Sequence, residues 1–82
     1  MIIIKKYWLY AQVKILYKYK VFEKYIHDYD LELDQTLMSI FTKAKIFLEN
    51  AINSGIKINS KELSNLERYC DNLSALVKEN RV

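Results

Sequence analysis

The sequence predicts an all-α protein, a small antiparallel helical bundle with three long helices, or four if the first segment breaks near residues 18–20. Three observations lead there. The chain has one glycine, Gly55, and no proline, whereas sheets joined by tight turns use several of each. Apolar residues make up 51% of it, which excludes the low-hydrophobicity composition of a disordered chain. Those apolar residues recur at spacings of three and four, the helical period, and this outweighs the strand preference of the seven tyrosines. With 82 residues the chain is one domain, residues 1–82. A chain this short buries roughly 60–65% of the surface its unfolded form exposes. Cys70 is the only cysteine, so no internal disulfide supplements the thin core.

The first helical segment is predicted from about Ile3 to Tyr29, with Ile4, Trp8, Ala11, Ile15, Phe22, Tyr25 and Tyr29 along one face. Lys18 is the weak slot in that stripe, and Leu9, Leu16 and Ile26 widen it. The second runs from about Gln35 to Ser54. Asp34 suits its N-cap, because a carboxylate there accepts from orphan N–H groups and favours the positive end of the helix dipole. Leu33 and Met38 stand at hydrophobic-staple positions, and Leu37, Ile40, Phe41, Ala44, Phe47, Leu48 and Ala51 form the expected buried stripe. Gly55 follows the helix end, where a left-handed residue is cheapest as glycine. The third runs from about Ser60 to Glu79, with Asn59 and Glu62 as a capping box and Leu63, Leu66, Cys70, Leu73 and Val77 as its stripe, with Tyr69 and Leu76 beside it. The short connection makes the second and third helices antiparallel neighbours, with Ile56 and Ile58 tucked beneath it. Residues 78–82 are expected to fray.

The net charge of +3 identifies no partner, but its distribution is uneven. Lys5, Lys6, Lys14, Lys18 and Lys20 precede the first acid, and together with Lys24 they form a candidate basic surface. Asp28, Asp30, Glu32 and Asp34 make the first connection acidic. The lysines are interspersed through the apolar N-terminal segment, which is not the pattern of a secretory signal, and no apolar run reaches the roughly 18 residues of a membrane span. A soluble cytoplasmic protein is expected.

No nucleophile motif, phosphate loop or metal-ligand spacing is present, so no catalytic, cofactor-binding or metal-binding residue is assigned and no cofactor is expected. His27 reads as a surface or helix-end histidine and Cys70 as a buried thiol without a basic neighbour in sequence. The acidic connection lacks the glycine and terminal glutamate of a calcium loop.

From Val21 onward the sequence resembles the immunity proteins of class IIa (pediocin-like) bacteriocins, of the enterocin A and mundticin/piscicolin type. The similar residues are VFEKYI at Val21–Ile26, TLMSIFTKAKIFLENAI at Thr36–Ile52, NSGIKINSKEL at Asn53–Leu63, and Leu66 with the apolar positions after it. Residues 1–20 lie outside the similarity. The resemblance implies an antiparallel four-helix bundle in the cytoplasm of a bacteriocin producer. It also implies a non-catalytic role, protecting the cell by recognising a membrane permease onto which bacteriocin has locked. The polar face of the last helix, Lys61, Asn65, Arg68, Asn72 and Glu79, is the expected partner-binding surface, and the basic N-terminal segment a peripheral contact with anionic membrane.

Three other classes fit less of the sequence. A small mobile-element inhibitor or adaptor needs only a helix face to dock on a host or defence protein. A nucleic-acid-binding regulator would use the lysines and tyrosines of residues 5–24. Asp71 and Leu73 on the last helix resemble small response-regulator phosphatases, but the Ser-Gln that leads into that motif is missing.

Overall fold

The computed structural model describes residues 7–79 and contains three helices, α1 (Tyr7–Asp28), α2 (Gln35–Asn53) and α3 (Ser60–Glu79). The expected contributions of Ile4, Lys5 and Lys6 and of the last three residues lie outside the described part. The described part of the first segment, Tyr7–Asp28, is one unbroken helix, so the described residues form three helices and not the four that the family resemblance implied. The chain runs up, down and up. Lys45 meets Glu23 and Glu49 meets Lys20, which sets α2 antiparallel to α1. Tyr19 meets Leu66 and Tyr25 meets Lys78, which sets α3 parallel to α1. α1 makes the closest backbone approach to each of the other two helices, while α2 and α3 approach each other less closely.

The helix ends follow from the residues placed there. Asp34 Oδ2 accepts from the backbone N–H groups of Thr36 (3.1 Å) and Leu37 (3.4 Å), and Leu33 and Met38 both pack against the core, as the staple requires. Asn59 Oδ1 does the same for Lys61 (2.9 Å) and Glu62 (3.2 Å) at the start of α3. α2 closes with a Schellman pair: Ile56 N–H donates to Ala51 O (2.8 Å) and Gly55 N–H to Ile52 O (3.1 Å), with Gly55 at φ +70°. A Cβ on Gly55 would meet nothing within 4 Å, so substitution there costs only the backbone strain. α1 ends in the same way without a glycine. Leu31 N–H donates to Ile26 O (3.0 Å) and Asp30 N–H to His27 O (3.2 Å), with Asp30 itself left-handed at φ 49°.

The core is centred on aromatic rings. Tyr19 stacks on Phe41 with centroids 5.0 Å apart, and Phe22 meets the same ring edge-on at 5.5 Å. Tyr19 is wholly buried, and its hydroxyl donates to Leu66 O (2.7 Å), joining α1 to α3. Tyr69 Oη donates to Leu37 O (3.1 Å), joining α3 to α2. Burial raises the phenol pKa of both tyrosines above the ordinary value.

The observed seam of α1 is Gln12, Ile15, Tyr19 and Phe22, with half-buried Trp8 and Ile26 extending it at the same spacing. Tyr19 therefore fills the slot assigned to Lys18, and Tyr29 lies 53% exposed. In α2 the buried residues are Phe41, Leu48 and Ala51, with Leu37 and Ala44 partly covered. Phe47 (43% exposed) and Ile40 (46%) stand on the flank of this seam, not in it. α3 keeps its expected stripe, apart from Leu76, which is exposed. The two loop isoleucines divide: Ile58 is buried and Ile56 is exposed.

Gln12 is the buried polar residue of the core. Its Nε2 donates to Ile56 O (3.0 Å) and its Oε1 accepts from Ile58 N–H (2.7 Å), so one amide side chain satisfies two backbone groups of the α2–α3 connection. Among the described residues no buried side-chain polar atom is left without a partner.

Two stability predictions follow from this packing. Phe41→Ala should cost about 3–5 kcal/mol by chemical denaturation, since it removes the ring on which Tyr19 and Phe22 converge, while Phe47→Ala should cost under about 1.5 kcal/mol. Equal losses would place both rings in the core. Gln12→Met keeps the volume but leaves the Ile56 carbonyl and Ile58 N–H unpaired, and should cost about 1–3 kcal/mol. In hydrogen exchange, the Ile58 amide should lose protection more than amides in the middle of α2.

Candidate functional site

The lysines of α1 do not share one surface. Positions 14 and 18 lie along one side of the helix and positions 20 and 24 along the other, flanking the buried seam. Lys18 turns toward α3, where Nζ donates to Glu67 Oε2 (2.6 Å) and lies 3.4 Å from both carboxylate oxygens of Asp71. The hydrogen bond to Glu67 is the main reason its pKa is raised. Lys20 faces Glu49 on α2 at 3.6 Å. Lys24 pairs with Asp28 one turn on, at 2.9 Å; this hydrogen bond raises the lysine pKa and lowers that of the carboxyl. Lys14 pairs with no acid among the described residues and lies 5.8 Å from the centre of the Tyr10 ring. Of the basic residues picked out in the sequence, Lys18, Lys20 and Lys24 thus serve partly as ties, and Lys5 and Lys6 lie outside the described residues.

The polar residues of α3 are placed differently. Lys61, Asn65, Arg68, Asn72 and Glu79 are all exposed along one side of a helix whose opposite side is buried. Among the described residues their side chains form no ion pair or hydrogen bond. The N-cap at Asn59 and the Tyr19 and Tyr69 bonds hold the helix beneath this face. The structure places the five residues along one side of a fixed support, Lys61, Asn65, Arg68 and Asn72 on successive turns and Glu79 one turn beyond the exposed Ala75 and Leu76.

A groove between α1 and α3 was not foreseen from the sequence. Tyr17, Val21, Phe22, Tyr25 and Cys70 line it, with Lys18, Asp71, Ser74 and Lys78 also at its walls. Lys78 Nζ lies 5.8 Å from the Tyr25 ring centre. The acidic connection carries no grouping of three or more metal-binding side chains, nor does any other site among the described residues. His27 is exposed at the end of α1, its Nδ1 4.0 Å from an Asp28 oxygen. No helix is long and apolar enough to cross a membrane among the described residues.

Comparison of the chain with family models, with curated proteins and with solved structures returned no match.

Cys70 is 2% exposed, and burial pushes its thiol up to about 11. A thiolate is the nucleophilic form, so near neutral pH this sulfur is packing material. The folded state holds the thiol proton more tightly than the unfolded chain, whose thiol ionises near pH 8.5. Stability from this group is therefore full below about pH 8.5 and declines as pH rises through about 11. Stability by denaturation should fall over that window, with a loss on the order of 3 kcal/mol. The decline should be shallower in Cys70→Ala; an equal slope would assign it wholly to the buried tyrosines.

Proposed function

We propose that this protein acts by stoichiometric binding rather than catalysis, as an immunity protein of the class IIa bacteriocin type. In this reading it recognises the bacteriocin-engaged permease from the cytoplasmic side, and the strip Lys61, Asn65, Arg68, Asn72 and Glu79 on α3 selects the partner. The observation that carries the reading is that strip, which is exposed, polar and uncommitted to other described side chains while sitting on a helix fixed by its opposite side. Such a strip can offer charge and hydrogen bonds to a partner without unfolding anything. One further point supports it: the residues that resemble the family without interruption, Thr36–Leu63, form here a helix, a Schellman-capped turn and the start of the next helix.

Expression inside a strain sensitive to class IIa bacteriocins should raise its tolerance to at least one of them, and protein added outside the cells should give none. Lys61→Glu and Arg68→Glu should alter protection and leave the melting curve nearly unchanged, because exposed charges contribute little to stability. Unchanged sensitivity across a broad bacteriocin panel would overturn the immunity reading. Capture of a nuclease or transcription regulator through the same strip would then identify the protein as a blocking inhibitor.

A further inference from the structure

α1 is apolar on two opposite sides. One side is the seam just described. The other carries Tyr10, Val13, Tyr17 and Val21, spaced three, four and four residues apart, with Tyr7 one turn before them. Tyr10 is 60% exposed and Tyr17 is 68% exposed; Tyr17 and Val21 border the groove toward α3 at one edge, and no element of the described fold covers the strip itself. Burying the seam therefore leaves a second apolar strip, about three turns long, facing solvent.

Its charges say what it fits. No acid occurs from Met1 to Phe22. Lys14 lies on the strip beside Tyr10 and pairs with no acid among the described residues; Lys24, paired with Asp28, continues the strip past Val21, and Lys20, facing Glu49, flanks it on the α2 side. Most nearby carboxylates are already held: Glu23 by Lys45 of α2, Glu49 by Lys20, and Glu67 and Asp71 by Lys18 at the α3 side, while Asp28, paired with Lys24, stands two turns beyond Val21 at the end of the strip. A second copy of the chain placed on this strip would bring lysines against lysines. Aliphatic valines between the tyrosines offer a nucleic acid nothing to stack on, but they suit an acyl boundary, and tyrosine rings suit the headgroup level above it.

We propose that the outer side of α1 is an interfacial docking surface for anionic lipid, with the helix lying along the bilayer surface. Valines and tyrosine rings enter the headgroup boundary, and lysines meet lipid phosphates. The orientation leaves the polar strip of α3 free, so the contact stands apart from whatever protein α3 recognises.

The test is co-sedimentation of the full chain with vesicles of phosphatidylglycerol and phosphatidylcholine, against vesicles of phosphatidylcholine alone. Binding should require the anionic lipid and weaken as salt is raised. Lys14→Gln should reduce the partition constant about fivefold, and Tyr10→Ser with Tyr17→Ser about tenfold or more. These side chains are exposed, so the helical circular dichroism and melt should stay as in the parent chain, which separates lost docking from lost fold. Equal partition onto neutral vesicles, no partition onto anionic ones, or partition unchanged in the double tyrosine variant would each overturn the proposal. Salt-sensitive retention on single-stranded nucleic acid that the double variant abolishes, without vesicle binding, would assign the surface to nucleic acid instead. None of these outcomes bears on bacteriocin tolerance, which is read separately through the α3 variants.

Discussion

Gln12 fixes how α1 sits on the rest of the molecule. The α2–α3 connection is too short to form secondary structure of its own, and it presents a carbonyl at Ile56 and an N–H at Ile58 toward α1. A wholly apolar seam would leave both unpaired, at a cost comparable to a large part of a small domain's net stability. A primary amide has one donor and one acceptor edge and can satisfy both. Its geometry is directional, which hydrophobic contact is not. Sliding α1 by one heptad would bring Lys5 or Tyr19 opposite the loop, and neither offers that pair of groups. The same placement brings Tyr19 to Phe41 and Leu66, and Lys18 to Glu67 and Asp71.

The division of labour among the helices follows. α1 supplies the buried amide, the central ring and the lysines that tie to both neighbours, so it behaves as the keel of the bundle. α2 and α3 are held together largely through it, with the Tyr69–Leu37 bond and the loop as their direct links. This arrangement spends one side of α1 on α2 and α3 and leaves its outer side to face solvent. It likewise leaves the outer side of α3 with no structural task.

What could be read from the sequence was whatever depends on short-range chemistry. Asp34 and Asn59 cap helices because of the atoms they carry, and Gly55 ends one because it lacks a Cβ; each was identifiable from its neighbours. The α3 stripe was legible because Leu63, Leu66, Cys70, Leu73 and Val77 stand out among polar residues, and that clarity made the polar strip opposite legible too. In α1 apolar residues occur on both sides, so periodicity offered two overlapping faces. It favoured the one through Ala11 and Tyr25 over the one through Gln12 and Tyr19. A glutamine is read as solvent-facing until a partner is known, and its partners lie 44 and 46 residues away. The same holds for Lys18, whose acids are 49 and 53 residues distant, and for the groove beside it. Phe47 was misplaced because Phe41, Leu48 and Ala51 turned the helix so that its ring fell on the flank.

The parallel run of α1 and α3 gives the molecule a lengthwise polarity. In an alternating four-helix bundle the backbone dipoles cancel in pairs; with three helices running up, down and up, one remains uncompensated. The N-terminus of α3 at Ser60 and the described start of α1 lie at the end that carries Lys57 and Lys61. At the other end two C-termini meet the acidic connection of Asp28, Asp30, Glu32 and Asp34, where the N-terminus of α2 gains from those charges and the other two helices do not. Over a body 48 Å long, the backbone moment and this acidic connection point the same way. Such a rod turns in an external field before it touches anything, so a negatively charged partner would first meet the end where α1 and α3 begin.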